Sequence, residues 1–283
     1  MTSAELTPDQ LRRDPLPLRG RVALVTGVSR RAGIGYAIAR RLAAQGASLV
    51  IHHYAPHDRD QPWGADPGGL DAVIGGVTKA LADPGAAVWH QEADLSDPDA
   101  PSRLIETAAV TSRFLDILVC NHARSGGDGP LGTLTAGMLD GHWAVNTRAS
   151  ILLAQAFAER HDDSRSGGRI VLMTSGQDLG PMTGEVAYAA SKGALASVTQ
   201  TLADQIAERG ITVNTVNPGP VDTGYAAFAD QPEAHEIVRR HFPSGRWGTP
   251  DDPARLIAWL VTDEAAWVTG QVINSEGGFR RWD

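Results

Sequence analysis

The 283-residue sequence predicts an α/β fold: a doubly wound parallel sheet of about seven strands flanked by helices. Two observations predict it. Short segments rich in Val, Ile and Leu, apolar on both faces, alternate with longer amphipathic stretches, as in a parallel sheet covered on both sides by helices. No linker-like tract or shift in composition divides the chain. One unit over residues 20–283 is therefore expected, after a loose arm at 1–19.

The strands fall at residues 22–26, 49–53, 86–90, 115–120, 170–174, 212–216 and 272–274. Helical patterns cover 34–45, 98–113, 137–159 and 188–209, with Gly46 and Gly210 placed as C-caps. Alternation at this spacing implies right-handed crossovers. Residues 54–69, YAPHDRDQPWGADPGG, break the rhythm and read as an extended surface loop. His53 and His57 stand four apart beside Asp58 and Asp60. No rigid element holds them, so they read as loop residues and no metal site is expected.

Composition narrows the function. The formal charge of −8 argues against nucleic acid or an anionic membrane as a partner. A single cysteine, Cys120, excludes an internal disulfide and a cysteine-based zinc site. No apolar run approaches a membrane span, and the first twenty residues hold no apolar block, so a cytoplasmic protein is expected.

The stretch VTGVSRRAGIG at 25–35 follows the first strand and opens the first helix. That is the setting of a phosphate-binding turn. Gly27 would permit the tight turn, while Gly33 and Gly35 would admit a pyrophosphate close to the backbone and to the helix N-terminus. The six-residue gap from Gly27 to Gly33, with Arg30 and Arg31 inside it, is irregular. Further on, Tyr188 and Lys192 are spaced i, i+4 and share a helix face. An ammonium beside a phenol favours the phenolate, which would bring the tyrosine towards a general acid's working range. Ser175, thirteen residues upstream, stands just past a strand.

With these residues the chain resembles the short-chain dehydrogenase/reductase family from about Arg19 onward. The turn is similar to the family's Thr-Gly-x-x-x-Gly-x-Gly with two residues inserted. Cys120-Asn121-His122-Ala123 stands where the family writes Asn-Asn-Ala-Gly, so Cys120 and His122 depart from it. Pro218-Gly219-Pro220-Val221-Asp222-Thr223 resembles the nicotinamide-contacting loop, and TGQVINSEGG at 269–278 the closing strand. The resemblance implies a single Rossmann-like domain and an Asn146, Ser175, Tyr188, Lys192 tetrad. Tyr188 would exchange a proton with the substrate oxygen, which Ser175 would orient. Lys192 would lower the phenol pKa and bind the nicotinamide ribose, and Asn146 would hold a water leading to solvent. Cofactor contacts are implied for Gly27, Ser29, Arg30, Arg31, Gly33, Ile34 and Gly35 in the turn. Others are implied for His53, Asp94, Leu95, Asn121, Ala123, Tyr188, Lys192, Pro218, Gly219, Val221 and Thr223.

The second strand ends in Ile51-His52-His53-Tyr54, without the acid that holds a ribose 2′-hydroxyl, and two arginines lie in the turn. NADP(H) is therefore the expected cofactor, with NAD(H) left open. The substrate is expected to be a small carbonyl or alcohol, with the pattern nearest the 3-oxoacyl-thioester reductases. A lid over residues 222–247 carries Tyr225, Phe228, Phe242 and Trp247, as substrate contacts or as packing. Gln177, Met182 and Glu185 also lie where substrate could touch. A dinucleotide-binding regulator and a non-redox enzyme on the same scaffold stay open. The family's habit implies a homodimer or homotetramer through the helices at 137–159 and 188–209.

Overall fold

A computed structural model describes residues 11–165, 167–224 and 232–282. Seven strands, β1 (Val22–Val25), β2 (Ser48–His53), β3 (Val88–Glu92), β4 (Ile117–Cys120), β5 (Arg169–Met173), β6 (Thr212–Asn217) and β7 (Val272–Asn274), form one sheet in the order β3-β2-β1-β4-β5-β6-β7. Every pairing is parallel; Val25, for instance, pairs with Ile51 on one side and Val119 on the other.

Strand geometry explains the two-faced apolar pattern, because alternate side chains leave opposite faces. Ala23 and Val25 join Leu49, Ile51, Ile117 and Val119 on one face, covered by α1 (Ile34–Ala44), α3 (Gly69–Thr78) and α9 (Asp251–Leu260). Val22 and Leu24 join Leu118, Ile170 and Leu172 on the other, covered by α4 (Ala100–Ser112), α6 (Ala149–Arg160) and α7 (Val186–Ile206). The polar strand β6, TVNTVN, is fully buried all the same. The Asn214 amide is satisfied from outside the strand: Asn214 donates to Val268 O at 2.8 Å and accepts from Gln271 N at 3.1 Å, which anchors the approach to β7.

The predicted strands recur with small shifts; β3 starts two residues later than expected. Its sequence VWHQE is half exposed, so no doubly buried run marks its start. Residues 54–69 are not wholly a loop. A short helix, α2 (Ala55–Arg59), occupies their start, and α3 begins at Gly69. The expected helix over 137–159 is also divided. α5 (Ala136–His142) passes into a π-helical turn, Trp143–Arg148, and then into α6. α8 (Pro232–Arg240) lies within the expected lid, whose Tyr225 and Phe228 fall outside the described residues. Among the described residues no helix is long and apolar enough to cross a membrane.

Candidate active site

Strand order reverses between β1 and β4, and in open parallel sheets ligands bind beyond the strand carboxyl ends at that crevice. A cavity of about 440 Å³ lies there. Gly27 after β1, His52 in β2, Asn121 after β4, Thr174 after β5 and Pro218 after β6 all line it, and Tyr188 and Lys192 of α7 reach the same cavity.

The glycine turn is built for close approach. Gly27 has φ +72°, and a Cβ there would stand 2.8 Å from the His122 Cα. A Cβ on Gly35 would meet the Gly27 carbonyl oxygen at 2.4 Å, so only glycine lets α1 seat on the turn. Asn121 Nδ2 donates to the carbonyls of Thr26 (3.0 Å) and Gly27 (3.1 Å). His52 accepts from Gly27 N at 3.2 Å, while its Nε2 lies 2.9 Å from Ala93 O. Burial takes its pKa down to about 4, so the ring stays neutral and suits both contacts. Among the described residues no side chain caps the N-terminus of α1, and no acid sits in its first turn, which suits its amide end to an anion.

The two irregular stretches of the sequence explain one another. Arg30 Nε lies 3.2 Å from Asp58 Oδ1, and its guanidinium covers the Trp63 ring at 5.4 Å. Arg31 makes a forked pair with Asp66, whose Oδ2 also accepts from Arg31 N at 2.8 Å. The residues inserted in the turn are thus clasped by acids from 54–69. Pro56, His57, Asp58, Asp60 and Trp63 form one wall of the cavity. Tyr54 closes the adjoining corner: its backbone N–H donates to Ser29 Oγ (3.1 Å), and its hydroxyl donates to Asp94 (3.0 Å).

At the other end, Tyr188 is half-buried, with the Ser175 side chain close enough to its hydroxyl to favour the phenolate. Lys192 Nζ donates to Met173 O at 2.8 Å and lies 5.8 Å from the centre of the Tyr188 ring. Shared placement on one helix face holds, but the expected lowering of the phenol pKa does not. Burial and the nearby Glu185 charge push it up to about 12, against the Ser175 hydrogen bond. Lys192 is itself brought down to about 8 by burial. The Cys120 thiol beside it is pushed up to about 12 by burial, which leaves it an inert core thiol.

Asn146 sits in the π-helical turn, fully buried. Both its amide hydrogens are taken, by Arg124 O (3.1 Å) and Ser191 Oγ (2.9 Å), and its Oδ1 accepts from Arg124 N (2.7 Å). The side chain therefore ties the loop after β4 to α7. Widening of a helix by one residue is a frequent mark of a functional site.

Of the residues expected at the cofactor, Gly27, Ser29, Arg30, Gly33, Ile34, Asp94, Leu95, Asn121, Ala123, Tyr188, Lys192, Pro218 and Thr223 line the cavity. His53 does not: it is buried against His90, with Nε2 3.3 Å from that ring's Nδ1. Strand alternation gives the place to His52 instead. Arg31 also lies outside, on the outer surface with Asp66. Gly35, Gly219 and Val221 act one layer back. Gly219, at φ +67°, packs on Glu276, and Val221 bridges to Gly248. Within the lid, Phe242 is buried against Phe279 (4.9 Å) and Trp247 (6.0 Å), and Trp247 stacks on His235 (5.0 Å), so these rings serve packing. His122, which departs from the family pattern, links Thr26 Oγ1 (2.7 Å) to Val145 O (3.0 Å). Asp128 is the residue that sequence reasoning missed. Its carboxylate receives the backbone N–H groups of Ala187 and Tyr188, and no local motif marks it.

A family model described as enoyl-(acyl carrier protein) reductase matches residues 70–280. The chain is 42% identical over 262 residues to the uncharacterized oxidoreductase YjdA of Bacillus subtilis, covering 92% of this chain and 97% of that protein. It is 33% identical to an NADPH-dependent aldehyde reductase-like chloroplastic protein of Arabidopsis thaliana, over 96% of this chain and 99% of the other. Among solved structures, the angucycline C-6 ketoreductase LanV with bound NADP is similar with a TM-score of 0.78, at 31% identity over 93% of this chain and 96% of that one. The chain belongs to the short-chain dehydrogenase/reductase family, oxidoreductases that act on carbonyl and alcohol groups with a nicotinamide dinucleotide.

Proposed function

We propose that the protein is an NADP(H)-dependent carbonyl reductase in which Tyr188 is the general acid/base for a ketone or its secondary alcohol. The observation that carries this reading is one continuous cavity. The glycine turn lines it together with Tyr188 and Lys192, whose Nζ lies 5.8 Å from the centre of the Tyr188 ring. The residues fit a dinucleotide: a crowded glycine cradle and an uncapped helix end for the pyrophosphate, with Asp94 and Leu95 flanking the adenine end. When bound, the nicotinamide supplies or takes up the hydride.

The chain's own residues do the rest. The Ser175 hydroxyl orients the substrate oxygen. Tyr188, with a pKa of about 12, is fully protonated at neutral pH and gives its phenolic proton to that oxygen. Lys192, charged below about pH 8, stabilises the phenolate that remains. Asn121 and His52 keep the turn in shape.

NADP(H) is preferred over NAD(H) because Arg30 lines the cavity next to a β2 end without an acid. The relatives named for NADPH and NADP support the same choice. Because Asp58 already pairs with Arg30, a 2′-phosphate must share or displace that carboxylate. Replacing Arg30 by alanine is expected to weaken NADPH binding about tenfold or more and NADH binding hardly at all. Fluorescence titration with each dinucleotide checks this, and equal weakening of both would remove Arg30 from the selection.

The test of the whole reading is NADPH oxidation against a β-ketoacyl thioester, a vicinal diketone, a quinone and a cyclic ketone. Turnover of at least one ketone is expected. The thioester alone would place the enzyme in acyl-chain reduction. Silence with all four, together with absent NADPH binding, overturns the redox reading in favour of a non-redox enzyme on this scaffold.

A further inference from the structure

Helix α7 carries Tyr188 in its first turn, yet has no cap of its own. Its N-cap residue, Glu185, makes no side-chain capping bond. The acceptor comes instead from sixty residues upstream, in the connection after β4. Asp128 Oδ2 accepts from Tyr188 N at 2.7 Å, and Oδ1 accepts from Ala187 N at 3.0 Å and Gly129 N at 2.7 Å. The carboxylate side chain is only 5% exposed.

Two further contacts converge on the same point. His142, fully buried at the end of α5, places Nε2 4.0 Å from Asp128 Oδ2 and 3.1 Å from Gly126 O. Its ring meets the Tyr188 ring edge-on, with centroids 6.1 Å apart at 86°. The loop that presents Asp128 is fastened at its start, where Asn146 bonds both the N–H and the carbonyl of Arg124.

We infer that Asp128 is a positioning residue for Tyr188: its carboxylate fixes where the first turn of α7 stands against the loop after β4, and so where the phenol meets the substrate oxygen. This rests on the proton-transfer role of Tyr188 proposed above. A carboxylate suits the task because it is acceptor-only, and here it serves three N–H groups. Its charge also lies at the positive end of a 21-residue helix. An asparagine of the same shape would turn an NH₂ towards one of those N–H groups. Misplacement of a reacting group by about 1 Å can cost on the order of 10²-fold in rate.

The experiment compares wild type with Asp128→Asn and Asp128→Ser, the serine retaining one acceptor oxygen. In Asp128→Asn, kcat for carbonyl reduction should fall about tenfold to hundredfold, with the NADPH dissociation constant within about twofold of wild type. Amide hydrogen exchange at residues 187 and 188 should quicken about tenfold or more. Asp128→Ser, whose one oxygen lies a bond closer to the backbone and reaches fewer of the three N–H groups, should fall at least as far as Asp128→Asn in both measurements. A folded Asp128→Asn protein with wild-type kcat, or with unchanged exchange at 187 and 188, overturns the inference. So does a loss of kcat and NADPH affinity by the same factor alongside a lowered melting temperature, the signature of a cap that serves stability alone. If the wild type reduces no carbonyl, the proton-transfer reading fails by itself, and exchange at 187 and 188 still decides whether Asp128 fixes the helix start.

Discussion

Tyr188→Phe is expected to lower kcat for carbonyl reduction by about 10²–10⁴-fold, the range for loss of a positioned proton donor. NADPH binding should stay within about twofold, since only a hydroxyl is removed. The phenylalanine ring keeps the edge contact with His142, and the backbone keeps its bonds to Asp128. On the mechanism proposed above, Ser175 would still orient the substrate oxygen and leave a residual turnover. The variant therefore separates chemistry from binding. Stopped-flow or steady-state NADPH oxidation, paired with a binding titration, makes the comparison. A Tyr188→Phe enzyme within about tenfold of wild type would mean that another group supplies the proton, below the range expected of a general acid. Water admitted to the cavity would then be the first alternative to test.

The shared helix face of Tyr188 and Lys192, and the place of Ser175 just past β5, were legible in the sequence because each is a local relation. A helix fixes where i and i+4 point, and a strand end fixes where the next residue stands. The same holds for the fold: runs such as VALV and ILVC, buried on both faces, admit few places other than the middle of a parallel sheet. The parts that were not legible depend on distant partners. Asp128 reaches Tyr188 across sixty residues, and nothing in GGDGP announces it. His53 is expected at the cofactor and His52 stands there, a one-residue error that a period-two element turns into opposite faces. The π-helical turn at Trp143–Arg148 has no periodicity signal of its own in a six-residue window.

Charge was the least safe guide. Arg30 and Arg31 read as free cations for a 2′-phosphate, yet each lies against an aspartate of 54–69. One of them, Arg31, leaves the cavity altogether. The insertion in the glycine turn and the long segment after β2 are two halves of one contact, and either alone looks like an anomaly. An isolated arginine count overstates the positive potential by ignoring pairs formed far apart in sequence. The expectation of a lowered phenol pKa fails for a related reason. An ammonium 5.8 Å from the ring centre, bonded to Met173 O, does not offset the desolvation of the phenol and the nearby Glu185 charge.

Replacing Lys192 by methionine should cost at least about a hundredfold in turnover and, in the same protein, alter the pH dependence of stability. The Lys192 pKa falls from 10.5 to about 8 on burial, and among the described residues no ion pair is found for it. Because the folded-state value lies below the unfolded one, the unfolded chain binds more protons between pH 8 and 10.5. The destabilising effect of the buried ammonium is thus fully present below about pH 8. It is relieved as pH rises through that window. A shift from 10.5 to about 8 corresponds to a term on the order of 3 kcal/mol. The Lys192→Met protein carries no such term, while other titrations are common to both proteins and cancel in the difference. The unfolding free energy of Lys192→Met relative to wild type should therefore be higher at about pH 7 than at about pH 10.5 by that amount, whatever the constant loss from leaving Met173 O without its donor. Denaturant unfolding of both proteins across about pH 7–10.5 measures it, and parallel curves would show that the ammonium is not desolvated. On the mechanism proposed above, the buried ammonium lowers stability at neutral pH while its charge serves the phenolate at Tyr188, and loss of turnover with a gain in relative stability at low pH is the joint signature expected of that exchange.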